Sequence, residues 1–401
     1  MKNNNVIKIA LGVGLAFQVS AVAENNGDWC SMLQSKPKLY KNSDNPYIQE
    51  IGIEGRFQWQ TAHIEGNDVN GNDVSETFDE YRRVRLGTKV KFLNYFAAKY
   101  QINLVSDGRP SGNELDWGYD SIDEAYVTFD LGKALSTQYF DELNVGYGRY
   151  KYTLGYESTA SSKKLLTVER SALSNKAYGS ARLTGFKAEA VKGDWDFGAA
   201  VYSSSQDGSD HEAFGSWQDG EILWVHAGYK ASDNLSYGFD AAYNNADRTT
   251  GEDDELGYDW ATSLNAHYEN GRFGLVGDFI VGDNGDQSNA SREGNFYGFM
   301  AMPYYWLIED KLQAVAQFQH MASSDDNGVR SNSRYGNRLH SQEGGFNSGR
   351  GDSHQSVYTG LNYYLCDHNA KFQGGVEYQQ MDTPTGDFDT LTYILAFRSY
   401  F

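Results

Sequence analysis

Beyond its first two dozen residues, the chain has no run of 18 consecutive apolar side chains, so helical membrane spans are excluded there. Cysteine is nearly absent. Cys30 and Cys366 are too far apart for any metal-type spacing, and no lipobox precedes Cys30. In an oxidising compartment the two can pair, or they can remain separate small apolar residues; the sequence does not choose. Basic residues number 34 against 54 acidic, a formal charge of −20, which disfavours nucleic acid as a partner. The 8 histidines are scattered, with no H-E-x-x-H, and no G-x-S-x-G elbow occurs.

What is plentiful fits many short strands. The chain has 29 Tyr, 43 Gly and only 5 Pro among 401 residues, a balance suited to aromatic girdles and tight turns. A membrane protein without helical spans can only be a closed barrel. Both termini agree. Lys2 and Lys8 flank the start of an apolar stretch reaching about Ala16, and Ala21-Val22-Ala23 forms an A-x-A site, so residues 1–23 read as a secretory signal peptide. Its removal takes away Lys2 and Lys8 and leaves 32 basic against 54 acidic residues, or −22. At the other end, Leu391, Tyr393, Leu395 and Phe397 alternate along one strand face before a terminal Phe401, the expected signal to the outer-membrane assembly machinery.

Alternating runs recur from about Gln49 onward. Short connections at 92–94, 192–194, 232–234, 270–271, 309–310 and 367–369 alternate with longer polar stretches near 64–79, 105–119, 149–180, 203–220, 244–258, 282–295, 321–353 and 381–390. This rhythm predicts an all-β fold: a transmembrane antiparallel β-barrel of about 16 strands, with short periplasmic turns and long extracellular loops. Residues 24–47 read as a polar periplasmic leader or short helix, and 48–401 as the barrel. A barrel of that size leaves an aqueous channel.

Period two then assigns the lumen. With Val84, Leu86, Val90 and Phe92 facing lipid, Arg83, Arg85, Lys89 and Lys91 face inward; the strands on either side add Arg56 with Glu54, Gln58 and Gln60, and Lys99 with Gln101 and Asn103. Three neighbouring strands form one basic wall, suited to guiding anions; Glu54, Asp123 and Glu124 are the acids available to pair with it. The third long stretch places Lys151, Lys163, Lys164, Glu169 and Arg170 around Thr159-Ala160-Ser161-Ser162.

Several segments, in order, resemble one family. They are Gly55-Arg56-Phe57-Gln58, Tyr81 to Gly87, Asp123 to Phe129, Gly148-Arg149-Tyr150, and Thr159 to Lys163 through Glu169-Arg170. The chain is similar in these to the phosphate-selective porin O and P family, at motif level across about 50–200 and in pattern beyond. The resemblance implies a 16-stranded trimeric barrel in the bacterial outer membrane. It also implies that Arg56, Arg82 and Arg83 match anion-contacting arginines, while Ser161, Ser162 and Lys163 match a loop folded into the barrel. Two positions depart from the pattern. Ser158 stands where a lysine precedes the Thr/Ser-Ser-Lys stretch, and the fifth long loop carries Glu252, Asp253, Asp254 and Glu255, acids that would repel phosphate.

The expectation is a passive pore for small hydrophilic solutes, preferring anions such as phosphate, homotrimeric, surrounded by outer-membrane lipid, with no catalytic residues, cofactor or metal. A general or cation-preferring pore is one alternative. Another is a barrel enzyme with a rim site drawn from His320, His340 or His354 with Asp352. The acidic runs 283–286 and 251–255 read as solvated loop acids rather than Ca²⁺ sites.

Overall fold

The computed structural model describes residues 29–35, 38–106, 118–179, 181–205, 215, 217, 220–246, 256–285, 293–331, 334–336 and 345–401. The expected signal segment 1–23, the acids at 252–255 and His340 lie outside them.

Sixteen strands form one closed antiparallel barrel: β1 (Ile48–Asn67), β2 (Asp73–Phe92), β3 (Phe96–Asn103), β4 (Ser121–Asp130), β5 (Glu142–Lys151), β6 (Arg182–Lys192), β7 (Trp195–Ser203), β8 (Glu221–Ser232), β9 (Leu235–Asn244), β10 (Trp260–Asn270), β11 (Phe273–Asp283), β12 (Asn295–Ile308), β13 (Leu312–Ser323), β14 (Ser353–Cys366), β15 (Ala370–Asp382) and β16 (Phe388–Tyr400). Each pairs with its sequence neighbour, and β16 closes on β1 in register from Asp389↔Asn67 to Tyr400↔Arg56. Closure leaves no unpaired edge in the ring, which a bilayer demands. Along β9, Tyr237, Phe239 and Tyr243 are exposed to the outside while Asp240 and Asn244 are buried within. On β15, Phe372 and Tyr378 face out against Gln373, Glu377 and Gln379.

The short-turn end is built from tight connections with left-handed residues such as Asn94, Gly193, Gly271, Asp310 and Asp367. One connection there is longer than the sequence rhythm suggested: residues 131–141 carry helix α2 (Leu131–Leu135), started by Asp130, whose carboxylate accepts from Lys133 N. Helix α1 (Trp29–Gln34) precedes the barrel, followed by a short strand, Lys38–Lys41, that pairs with β1. A Cys30–Cys366 disulfide holds α1 to the turn between β14 and β15, with a Cα–Cα distance of 5.4 Å.

At the opposite end, two stretches expected to be long loops are tight. The polar segment 64–79 is mostly strand, because β1 and β2 continue for 20 residues each and turn over 68–72, where Asp68 accepts from Asn70 N and Asn72 N. Polarity there marks strands rising beyond the apolar belt, not a loop. Likewise 381–390 shrinks to 383–387 between β15 and β16.

Among the described residues, two loops fold inward. The third, L3 (residues 152–181), carries helices α3 (Tyr156–Thr159) and α4 (Ala172–Tyr178); Ser171 caps α4 by accepting from Ser174 N, and left-handed Gly179 ends it. The second inward loop, between β13 and β14, was expected to lie outside. Its described parts pair as a small ladder, Val329–Arg330 with Arg350–Gly351, and bury Tyr335 against Phe78 and Phe346 against Phe388.

Candidate functional site

L3 is fastened to most of the circumference. Gly155 N and Tyr156 N donate to Asp240 and Asp278 on β9 and β11, at 3.0 and 2.8 Å. On β13, Gln317 donates to Glu157 at 3.1 Å and Gln319 accepts from Leu173 N. On β14 to β16, Asn362, Lys371, Gln373 and Arg398 donate to the carbonyls of Leu165, Leu166, Ser162 and Val168. On β1, Arg56 donates to Ser162 Oγ at 2.6 Å and Gln58 to Ser162 O at 3.1 Å. Bonds with a charged partner are worth roughly 1.5–3 kcal/mol each, so the loop is a fixed wall rather than a mobile flap. Gly155 has φ +87°, and a Cβ there would come within 2.5 Å of Asp278 Oδ2.

Between L3 and the β1–β6 wall lies a polar cavity of about 460 Å³. Its lining holds 11 basic residues against the acids Glu54, Asp123 and Glu124, a formal surplus of eight positive charges. The structure brings together Arg56, Arg82, Arg83, Arg85, Lys99, Lys151, Ser161, Ser162 and Lys163 from the sequence reading. Lys164 is the exception: it is exposed and does not line the cavity. Alternation along an irregular loop is no guide to direction, unlike alternation along a strand.

The arginine pair at 82–83 needs a departure from period two. Gln58 pairs with Arg83 but Trp59 pairs with Tyr81, so Arg82 is an extra residue in a β-bulge. Tyr81 remains outward-facing and packs on Phe57, while Arg82 reaches Glu169 of L3 at 2.7 Å. Arg83 donates to Gln58 at 2.8 Å.

Acids temper the wall without neutralising it. Asp123 bridges Arg85 at 2.5 Å and Arg182 at 2.8 Å. Glu54 meets Lys89 at 3.1 Å, Lys99 at 3.4 Å and Lys163 at 3.9 Å, and Lys99 also binds Glu124. On L3, burial and Arg56 push the Lys163 ammonium down to about 8, with Glu54 pulling the other way. Burial would raise the Glu169 carboxyl, but Arg82 and Arg83 hold it well below the usual range. Glu157 has no such neighbour strong enough, and burial raises it despite its bonds from Ser171.

Arg149, Arg170 and Arg182 also line the cavity and were not in the set expected to contact the solute. Arg170 donates to the carbonyls of Glu157 and Ala160 and lies over the Tyr178 ring. Arg182 faces the site through the pairing Lys151↔Arg182, a register the sequence does not display.

The other candidate chemistries are not assembled in this way. His354 is buried with Nε2 at 3.2 Å from Gln379, while Asp352 Oδ1 accepts from Asn327 N. Among the described residues no group of three metal-ligating side chains occurs.

A closed 16-stranded barrel with a belt of outward apolar residues and a lumen narrowed by an inward loop defines an outer-membrane diffusion channel, and the comparisons agree. The model of the phosphate-selective porin O and P family matches residues 51–385, and the chain belongs to that family and to the bacterial outer membrane. Among solved structures it is similar to the outer membrane channel DcaP of Acinetobacter baumannii, at 14% identity over 90% of this chain and 100% of that one, TM-score 0.59. OmpT of Vibrio cholerae is 10% identical over 88% and 97%, TM-score 0.56. OprB of Pseudomonas putida is 12% identical over 87% and 94%, TM-score 0.53. At these identities the likeness concerns the fold. No curated protein matches the chain.

Proposed function

We propose that this channel passes small hydrophilic anions, oxyanions such as phosphate among them, by passive diffusion and without catalysis. The observation that carries the reading is the surplus of eight positive charges lining the 460 Å³ cavity between L3 and β1–β6. L3 is anchored to β9, β11 and β13–β16 across the lumen, so a solute passing through the cavity travels between L3 and the basic wall. Guanidinium groups match oxyanions with two parallel donors, and the low-dielectric walls strengthen their field. The bulk charge of −20 is reversed in this cavity, where 11 basic residues face three acids. We further propose a homotrimer in outer-membrane lipid; OmpT, similar in fold at TM-score 0.54, has been solved in a trimer form.

The test is the reversal potential of the purified protein in a planar bilayer under a salt gradient, repeated with phosphate. Anion selectivity, with chloride current blocked by phosphate, is expected. Replacing Arg83 and Arg85 together by Ala should move selectivity toward cations. Cation selectivity in the unaltered protein would overturn the reading.

A further inference from the structure

Beyond the basic wall, strands β7 to β9 hold a histidine between two carboxylates. Trp195, Phe197, Leu223, Val225 and Phe239 are exposed on the outside, so period two turns Asp196, His226 and Asp240 into the lumen. His226 Nε2 lies 3.0 Å from Asp196 Oδ1, and Nδ1 lies 2.8 Å from Asp240 Oδ1. A neutral imidazole has one N–H and one lone pair, so it can donate to only one of them; a donor for each requires the imidazolium. The two carboxylates differ in setting. Asp240 is 1% exposed and its Oδ2 also accepts from Gly155 N of L3, whereas Asp196 is 58% exposed at the start of β7, toward the short-turn end. Around them, the Trp224 ring stacks on His226, Lys187 of β6 lies over the same Trp224 and pairs with Glu189, and Asp278 of β11 holds Tyr156 N next to Gly155.

We propose that His226 is a proton-dependent charge of the pore, a specificity-determining residue that sets how strongly the lumen on the short-turn side of L3 admits anions. With the imidazolium, Asp196, His226 and Asp240 together carry a formal charge of −1; once the proton leaves as pH rises, they carry −2. The N–H that remains stays on Nδ1, facing Asp240. A buried carboxylate robbed of its donor has no water to replace it, while Asp196 already stands in solvent. Asp196 is therefore the group released, as a free anion in the lumen. Asp240 keeps its donor from His226 and its hold on Gly155 N, so L3 stays clamped and the field changes without a change of shape. The added negative charge opposes an anion moving out of the basic cavity. The inference rests on the anion-preferring reading for its solute.

The experiment measures the reversal potential in planar bilayers under a potassium chloride gradient, from about pH 5 to about pH 9, a range that brackets histidine titration. It is run in the Lys163→Gln background, so that this lysine contributes no step. The chloride-over-potassium permeability ratio should fall roughly twofold in one step as pH rises. Adding His226→Gln should abolish the step. Adding Asp196→Asn instead, which leaves the histidine and its bond to Asp240, should move the step to lower pH, because one of the two carboxylates favouring the proton is gone. Single-channel current noise should stay constant across the range. A histidine serving only to pack the wall would move none of these readings. A step that survives His226→Gln, a flat profile with His226 present, a step unmoved by Asp196→Asn, or noise that grows with pH overturns the proposal. Cation selectivity of the unaltered protein at every pH overturns the anion reading instead, while the step and its loss in His226→Gln still report on His226.

Discussion

Arg82 and Arg83 are adjacent in the chain, yet both guanidinium groups enter the lumen, Arg82 to Glu169 at 2.7 Å and Arg83 to Gln58 at 2.8 Å. A regular strand would send one of them into lipid; the bulge opposite Gln58 and Trp59 spares it. Arg82→Ala should therefore do two things at once. It leaves the Glu169 carboxylate without its ion pair, costing about 1–3 kcal/mol, visible as a lower temperature of barrel unfolding on semi-native gels. It also moves the reversal potential toward cations. A variant with wild-type selectivity would separate Arg82 from permeation.

Lys163 gives the channel a pH dependence. Its ammonium is depressed to about 8, so it is charged at neutral pH and loses its proton as pH rises through that value. Anion selectivity measured at pH 7 should accordingly exceed that at pH 9. In Lys163→Gln the step near 8 should flatten, and an undiminished step would assign it to another group.

Gly155 is the hinge of the L3 clamp. Alanine there meets Asp278 Oδ2 at 2.5 Å and must hold φ +87°, so Gly155→Ala should cost about 1–3 kcal/mol. The backbone donors to Asp240 and Asp278 would be displaced, loosening L3. Larger and noisier single-channel currents, with faster proteolysis within 152–181, are the expected readouts; quiet wild-type currents would show that the remaining anchors suffice.

Reduction of the Cys30–Cys366 bond offers a contrast. The ring of strands closes through β16 and β1, independently of sulfur, so conductance and gel mobility of the folded barrel should survive reducing agent. Helix α1 alone should become accessible to protease. Collapse of conductance on reduction would mean that α1 supports the pore mouth.

Much of this could be read in the sequence because strands impose a strict period. Glu54, Arg56, Gln58 and Gln60 were placed on one lumen row by alternation, and the structure has all four bonding inward. What alternation cannot carry is any break in itself. Arg82 falls on the wrong parity unless a bulge intervenes, and only the family resemblance brought it in. Polar strands above the apolar belt, as at 64–79, look like loop because their composition is that of loop. The inward loop between β13 and β14 gives no local sign of direction; Tyr335 is buried by Phe78, more than 250 residues away, and Arg334 pairs with Glu80 across the same span. Arg182 and Lys164 make the same point in opposite senses, one drawn into the site by strand register and the other turned from it by loop geometry.

The disulfide has a bearing on the seam of the barrel. Cys30 lies a short stretch before β1, and Cys366 ends β14, so the covalent tie runs beneath β15 and β16, the two strands that complete the circle. Were the β1–β16 hydrogen bonds to part, the first strand could not drift off; it would stay belted to the turn beside its partner. Reclosing then becomes a local search over a few residues instead of a search by a free chain end. The belt makes separation of the seam a reversible event in a wall that, in a bilayer, has nothing else to pair with.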